Sequence, residues 1–464
     1  MTHAAGHDGG VQVVEESILP EALPGKELLA RYGGEAPRYT SYPTAPCFTD
    51  FTPDQEQSAW REMPARPLSL YVHLPFCRDV CLFCGCHAVH TRDERRSGPY
   101  LADLEREIVA TAARLDGARP VVQLHWGGGT PTFLGPDEMA VLSRLLRTHF
   151  AFDAGAECGI EIDPRVVCDA QLEVLRSEGF KRVSLGVQDL DPAVQQAVHR
   201  IQPREMTEAV VARVRAHGFT SVSIDLIHGL PRQTRAGFRQ TVDAVVAMAP
   251  DRISLFAFAY LPERIRHQRA IDPAELPAPE ERLAMWADAV SQLAAAGYRH
   301  VGMDHFARPD DDLCRAQDGG TLQRNFQGYS THGGCDLLGF GVSAISSLGR
   351  CYAQNEKDLP RYGRLVRENG RATVRGLRLS DDDLVRREVI MELMCHFAVD
   401  WGATGFRPGP AELAALDGMA RDGLLEHDPY GLRVLGPGRF FIRRIARVFD
   451  AHAAVQPTAY SRTF

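Results

Sequence analysis

Between Leu68 and Asp304, short apolar runs alternate with longer stretches in which apolar residues recur every three or four positions. The runs LSLYVHL, VVQLHWG, CGIEID, RVSLGVQ, SVSIDLI, RISLFAF and YRHVGMD have strand length and are rich in β-branched or aromatic residues. PYLADLEREIVATAARL, PDEMAVLSRLLRTHF, EMTEAVVARVRAHG and PEERLAMWADAVSQLAAAG carry the helical period between them. Strand alternating with helix predicts an α/β fold, a parallel sheet covered by helices. Six or seven such repeats suit either most of a (β/α) barrel or an open doubly wound sheet, and periodicity does not choose. In both, chemistry belongs at the C-terminal ends of the strands.

The flanks read differently. PRYTSYPTAPCFTDF (Pro37–Phe51) has too many prolines for one helix and too many aromatics to stay in water, which predicts an extended arm laid against another surface. Near the C-terminus, LSDDDLVRREVIMELMCHF and GPAELAALDGMARDGLLEHD are amphipathic helices with acidic first turns. GLRVLGPGRFFIRRIARVFD reads as strand, turn and helix, giving a mainly helical unit of winged-helix character. The expected organisation is an arm over 1–55, a main domain over 56–355 and a C-terminal domain over 356–464.

Composition narrows the classes. The 464 residues are 44% hydrophobic and 24% charged, as in a soluble globular protein. A net charge of −8 argues against phosphate-backbone binding, so no nucleic-acid partner is expected. No apolar run is long enough to span a bilayer, and MTHAAGHDGGVQVVEES lacks the basic and apolar regions of a signal peptide. A cytoplasmic protein with no membrane association is the expectation. In that compartment, clustered thiols point to metal or redox chemistry.

Four of the eleven cysteines fall in YVHLPFCRDVCLFCGC (Tyr71–Cys86), just past a strand. Cys77, Cys81 and Cys84 on a short loop suit one soft metal centre, and three ligands on an iron–sulfur cube leave one iron open. Cys86 lies too close to Cys84 for a zinc knuckle; on spacing alone a zinc site and packed free thiols stay open. One repeat later, HWGGGTPTFL ends a strand in glycines that let backbone N–H groups approach a ligand.

The C-x3-C-x2-C spacing, with Phe83 before its third cysteine, resembles the signature of radical S-adenosylmethionine enzymes, and the glycine turn matches their methionine-binding site. PRYTSYPTA, EIDPR, SLGVQDL, SIDLIHGLP, RNFQGYSTHGGCDLLGFGVSAIS and CYAQN extend the likeness to the oxygen-independent coproporphyrinogen III oxidases, from about Pro37 to Asn355. That resemblance implies a partial (β/α)6 barrel, a [4Fe–4S] cluster and two molecules of S-adenosylmethionine. It implies Cys77, Cys81 and Cys84 as cluster ligands. Tyr71, Gly128, Glu161 and Ile345 would contact the adenosylmethionine on the open iron; Phe83, Gly129, Thr130, Gln188, Arg200, Asp225 and Ala259 would contact the second. Tyr71, Gln327 and Ile345 are implied to be catalytic, with Gln327 lining the substrate cavity.

The implied reaction uses a 5′-deoxyadenosyl radical to convert two propionates of coproporphyrinogen III to vinyl groups, giving protoporphyrinogen IX in haem biosynthesis. A low-potential electron donor, an electron acceptor and a monomeric state are implied with it. Arg38 and Arg324 are candidates for the substrate carboxylates, and the arm for a cover over the cleft. The alternatives are a haem chaperone of the same superfamily, which generally lacks the long arm and the NFQGY region, and a radical methyltransferase acting on a tetrapyrrole.

Overall fold

The computed structural model describes residues 24–115 and 117–453. Six parallel strands lie side by side in chain order: β1 (Leu68–Leu74), β2 (Pro120–Gly128), β3 (Ala151–Ile162), β4 (Phe180–Gln188), β5 (Ser221–His228) and β6 (Arg252–Ala257). Helices between them, such as Ser97–Ala112, Pro136–His149 and Arg204–Ala216, cover the outer face.

Alternation along the strands sorts the side chains. In β5, Val222, Ile224, Leu226 and His228 are buried outward, whereas Ser223 and Asp225 point the other way. The inner face is polar. Ser69 donates to Gln123 across β1 and β2 (2.8 Å), Gln123 to Glu157 on β3 (3.2 Å), and Glu157 pairs with Arg182 on β4. A layer higher, Tyr71 stacks on His125 at 6.2 Å between centroids, and His125 reaches Glu161 at 3.5 Å.

The seventh strand candidate does not continue the barrel. Arg299–Gly302 is the last strand of the sheet, turns at Met303 and Asp304, and pairs antiparallel with His305–Ala307, which pairs antiparallel with β6. A parallel partner for β1 comes instead from Asp336–Phe340, and Ile345–Leu348, Cys351–Asn355 and Thr373–Arg378 extend that side antiparallel. The resulting 13-stranded sheet has two unjoined ends, a barrel left open.

A second apolar core joins the helix Asp381–His396, through Val389, Leu393 and Met394, to Phe441 and Phe449. Its three-stranded sheet, Ala398–Asp400, Leu425–His427 and Gly431–Val434, packs with the helix Pro410–Arg421. Tyr39 and Tyr42 of the arm are buried in this core, and the Tyr39 hydroxyl donates to Asp450 (3.0 Å). Further along, Phe48 stacks on Tyr352 at 5.5 Å. The arm is therefore part of the second core as well as a neighbour of the barrel opening. Among the described residues, no helix is long and apolar enough to cross a membrane.

Candidate active site

The chain leaves β1 through Pro75 and the short strand Phe76–Cys77, then loops through Cys81, Cys84 and Cys86. Leu82 anchors this loop in an apolar cluster with Val194, Val198, Leu230 and Phe258, against which Phe83 also packs. His267 donates from Nε2 to the Cys84 carbonyl (2.7 Å), and the Gln268 amide bridges the carbonyls of Phe83 (3.4 Å) and Ala259 (3.0 Å). Phe83 and Ala259 are thereby brought to one wall.

Each of the three loop thiols has a hydrogen-bond donor. The Thr130 hydroxyl lies 3.3 Å from Cys77 Sγ; Arg200 Nη1 and Arg165 Nη2 lie 3.5 and 3.7 Å from Cys81 Sγ; the Cys86 N–H donates to Cys84 Sγ (3.4 Å). Hydrogen bonding from the Cys86 side chain, helped by its backbone N–H, brings the Cys84 thiol down to about 6, whereas burial pushes Cys77 up to about 12. Donors around sulfur suit thiolates held on a cationic centre. No three His, Cys, Asp or Glu side chains among the described residues converge on a single ion. A cube of four irons does not require this, because each thiolate binds its own iron.

Beside the loop, the turn after β2 approaches β1 at backbone distance. Gly129 N–H donates to Leu74 O and Thr130 N–H to Phe76 O, both at 2.9 Å. A Cβ on Gly129 would stand 2.4 Å from the Pro75 oxygen, and Gly128 has φ +117°, a conformation that favours glycine. Gly128 N–H donates to Glu161 Oε2 (3.1 Å), so the carboxylate of β3 is held over the turn.

Tyr71 is oriented by His73. His73 Nε2 sits 2.9 Å from the His87 carbonyl, which only accepts, so Nε2 carries the proton and Nδ1 accepts from the Tyr71 hydroxyl at 3.1 Å. Burial lowers His73 to about 4 and keeps it neutral.

On the opposite wall, Arg200 donates to Gly186 O (2.6 Å) and lies 3.5 Å from Asp163. Gln188 ends β4 in a left-handed conformation, φ 68°, with its side-chain oxygen buried and unpartnered. Asp225 accepts from Ser184 (3.2 Å), and burial raises it to about 6. An orphaned acceptor and a costly carboxylate on one wall fit a ligand bearing amino or hydroxyl groups.

Ile345 begins the strand Ile345–Leu348, and its carbonyl would lie 2.5 Å from a Cβ on Gly339, the register partner of Tyr71. Gln327 occupies the turn between Gln323–Asn325 and Gly328–Ser330; its backbone N–H donates to Asn325 Oδ1 (2.8 Å), and its side-chain nitrogen is buried without a partner. The adjoining Phe326 packs with Phe48, Tyr352 and Ile345. Arg38 pairs with Asp304, and Arg324 Nε donates to the Arg38 carbonyl (3.2 Å). Burial, reinforced by Arg324, holds His305 at about 3.

Sequence reasoning did not single out Arg165, His267 or Gln268. Arg165 stood in the quoted EIDPR; the other two lie in a segment without motif, close to the cysteines only through folding.

The chain matches the Radical SAM superfamily over residues 71–245. It is 47% identical to the oxygen-independent coproporphyrinogen III oxidase of Pseudomonas aeruginosa, covering 92% of this chain and 95% of that one, and 46% identical to that of Escherichia coli, covering 92% and 94%. The chain belongs to the oxygen-independent coproporphyrinogen III oxidase family. The solved coproporphyrinogen III oxidase of Escherichia coli, a radical SAM enzyme, superposes with a TM-score of 0.88 at 44% identity, covering 93% of this chain and 99% of that chain. Family membership implies a [4Fe–4S] cluster and S-adenosylmethionine, and the thiol loop with its donors fits both.

Proposed function

We propose that this chain catalyses the oxygen-independent oxidative decarboxylation of two propionates of coproporphyrinogen III to vinyl groups, yielding protoporphyrinogen IX. The observation that carries the reading is the three-thiol loop hydrogen-bonded to a glycine turn at the C-terminal mouth of the barrel, in a chain of this family. Cys77, Cys81 and Cys84 would hold the cluster; Cys86 would support Cys84 without being a ligand. Tyr71, Gly128, Glu161 and Ile345 would hold one S-adenosylmethionine, and Phe83, Gly129, Thr130, Gln188, Arg200, Asp225 and Ala259 a second. When bound, these groups supply one-electron, hydrogen-abstracting chemistry.

The chain's own residues position and exclude. The Glu161 carboxylate, steered by Gly128 N–H, offers an acceptor to an amino group. Neutral His73 fixes the Tyr71 ring through its hydroxyl, and the ring stacks on His125 to wall the inner face. Phe326, Tyr352 and Phe48 exclude water beside Ile345, and Gln327 presents an unpaired amide there. Arg38, at the barrel opening, is available to a substrate carboxylate in exchange for Asp304. Such an enzyme would work as a cytoplasmic monomer with a separate low-potential electron donor and an electron acceptor.

The test is anaerobic turnover of the iron- and sulfide-reconstituted protein with S-adenosylmethionine, a low-potential reductant and coproporphyrinogen III, read by product mass. Protoporphyrinogen formed with 5′-deoxyadenosine, both lost on Cys81→Ser, is the expected result. Adenosylmethionine cleavage without decarboxylation, from a loaded cluster, would overturn it.

A further inference from the structure

At the end of the barrel opposite the cysteine loop lies a cavity of about 410 Å³, bounded by Ser69 at the start of β1 and Leu337 at the start of its parallel neighbour. Six residue steps separate Ser69 from Pro75, so the Ser69 end of the cavity lies about 20 Å from the thiol loop along the strand, while its Phe326 wall reaches up to Ile345. Its walls carry Arg66, Arg324 and Arg387, with Phe326 and Tyr352 as apolar surface.

The cationic groups here make no direct ion pair among the described residues; Arg324 lies over the Tyr329 ring at 4.7 Å, with Asp304 the opposite charge within its reach. Arg324 is only 5% exposed, yet its Nη1 is buried with no hydrogen-bond partner, a costly arrangement for a guanidinium. The side chains of Arg66 and Arg387 make no ion pair or hydrogen bond among the described residues. The carboxylates of the lining do not supply the missing partner. Asp336 is engaged by Arg119 (2.5 Å) and by Gly349 N–H (2.9 Å). Glu388 and Glu392 sit one helical turn apart on Asp381–His396, and burial together with Glu388 raises Glu392. His332 faces Glu157 at 4.0 Å.

We infer that this cavity binds the two propionate carboxylates that survive the reaction, with Arg324 at its floor and Arg387 and Arg66 at its rim. The inference rests on the proposed reaction. Distance assigns the carboxylates: a reacting propionate has to reach the mouth that holds Glu161 and the thiol loop, so only the retained pair extends to the far end of the strands. Planar guanidinium forks match carboxylates in pairs, and the apolar wall of Phe326 and Tyr352 suits the tetrapyrrole edge between them.

The product offers a direct test, because protoporphyrinogen IX keeps only these two propionates. In the reconstituted holoenzyme, the KM for coproporphyrinogen III and the inhibition constant of protoporphyrinogen IX should both rise about 10-fold or more on Arg387→Met. Substrate-free formation of 5′-deoxyadenosine and the cluster spectrum should not move, and Arg387→Lys should recover part of the loss. Arg66→Met, at an exposed position, should reproduce the paired rise more weakly. Unchanged constants overturn the assignment. So does a rise in KM with product inhibition unaltered, which would place a reacting propionate at these arginines. A wild-type enzyme that forms no protoporphyrinogen sinks the proposed reaction itself, whereas normal wild-type turnover beside unaffected variants sinks the cavity alone.

Discussion

Gly129→Ala is the sharpest perturbation this site permits. A methyl group there would stand 2.4 Å from the Pro75 oxygen and 2.6 Å from its carbon. An ordinary carbon–oxygen contact is about 3.3 Å, so the turn and the end of β1 must part by about 0.9 Å. The obstacle is backbone, which has no rotamer to swing aside. The same stretch is tied by the 2.9 Å bonds Gly129 N–H to Leu74 O and Thr130 N–H to Phe76 O, so the strain passes to the residue before Cys77. Overpacking of this kind costs about 1–3 kcal/mol, against a total stability of about 5–15 kcal/mol, so the protein should remain folded. A misplacement near 1 Å at reacting groups costs about 100-fold in rate. The assay is 5′-deoxyadenosine formation under reducing, anaerobic conditions, beside iron content and thermal melting. The expected result is a normal iron load, a modest fall in Tm and a rate about 100-fold lower. A wild-type rate in a folded, loaded variant would refute the close approach.

Other perturbations probe separate parts of the site. Asp225 is raised to about 6 from an ordinary 3.8, chiefly by burial, so the folded apoprotein holds a proton that the unfolded chain releases. Stability attributable to this group falls as pH rises from about 4 to 6, by no more than about 3 kcal/mol. Asp225→Asn should therefore raise the melting temperature at pH 7.5 and lose that advantage near pH 4, while weakening adenosylmethionine binding; a pH-independent difference would contradict the assignment. Iron counting separates the cysteines: Cys84→Ser should prevent cluster assembly, whereas Cys86→Ser should retain most of the iron, and equal losses would make Cys86 a ligand. Arg38→Gln removes the partner of buried Asp304, where burial opposes ionisation but Arg38 outweighs it and holds the carboxyl below its ordinary range. Turnover should drop at least about 10-fold with cluster absorbance intact, and unaltered kinetics would remove Arg38 from the substrate site.

The strand–helix rhythm was legible because each repeat advertises itself locally, through period-two runs against 3.6-residue stripes. The cysteine spacing and the glycine turn were legible for the same reason: a loop that must gather three thiols, and a turn that admits no Cβ, restrict residue type at neighbouring positions. YRHVGMD carries the strand signal as strongly as its predecessors, yet it does not pair with β6: His305–Ala307 folds back antiparallel between the two and takes the place beside β6. Direction is a property of pairing, which a local pattern does not encode. The parallel partner of β1, Asp336–Phe340, likewise arrives from outside the repeat. Tyr39 and Tyr42 announced in sequence that they had to be buried, but only folding placed them against Phe441 and Phe449 in the C-terminal core.

What the sequence determined by itself, then, was the local chemistry: which segments pair or coil, and which loop carries thiols for a soft metal. Tertiary structure decided what depends on long-range approach. It set Arg165 and Arg200 beside Cys81, turned Glu161 over the glycine turn, and left Arg324 Nη1 buried without a hydrogen-bond partner. Those contacts join residues 33 to 119 positions apart, and their energies exist only once the chain has excluded the water between them.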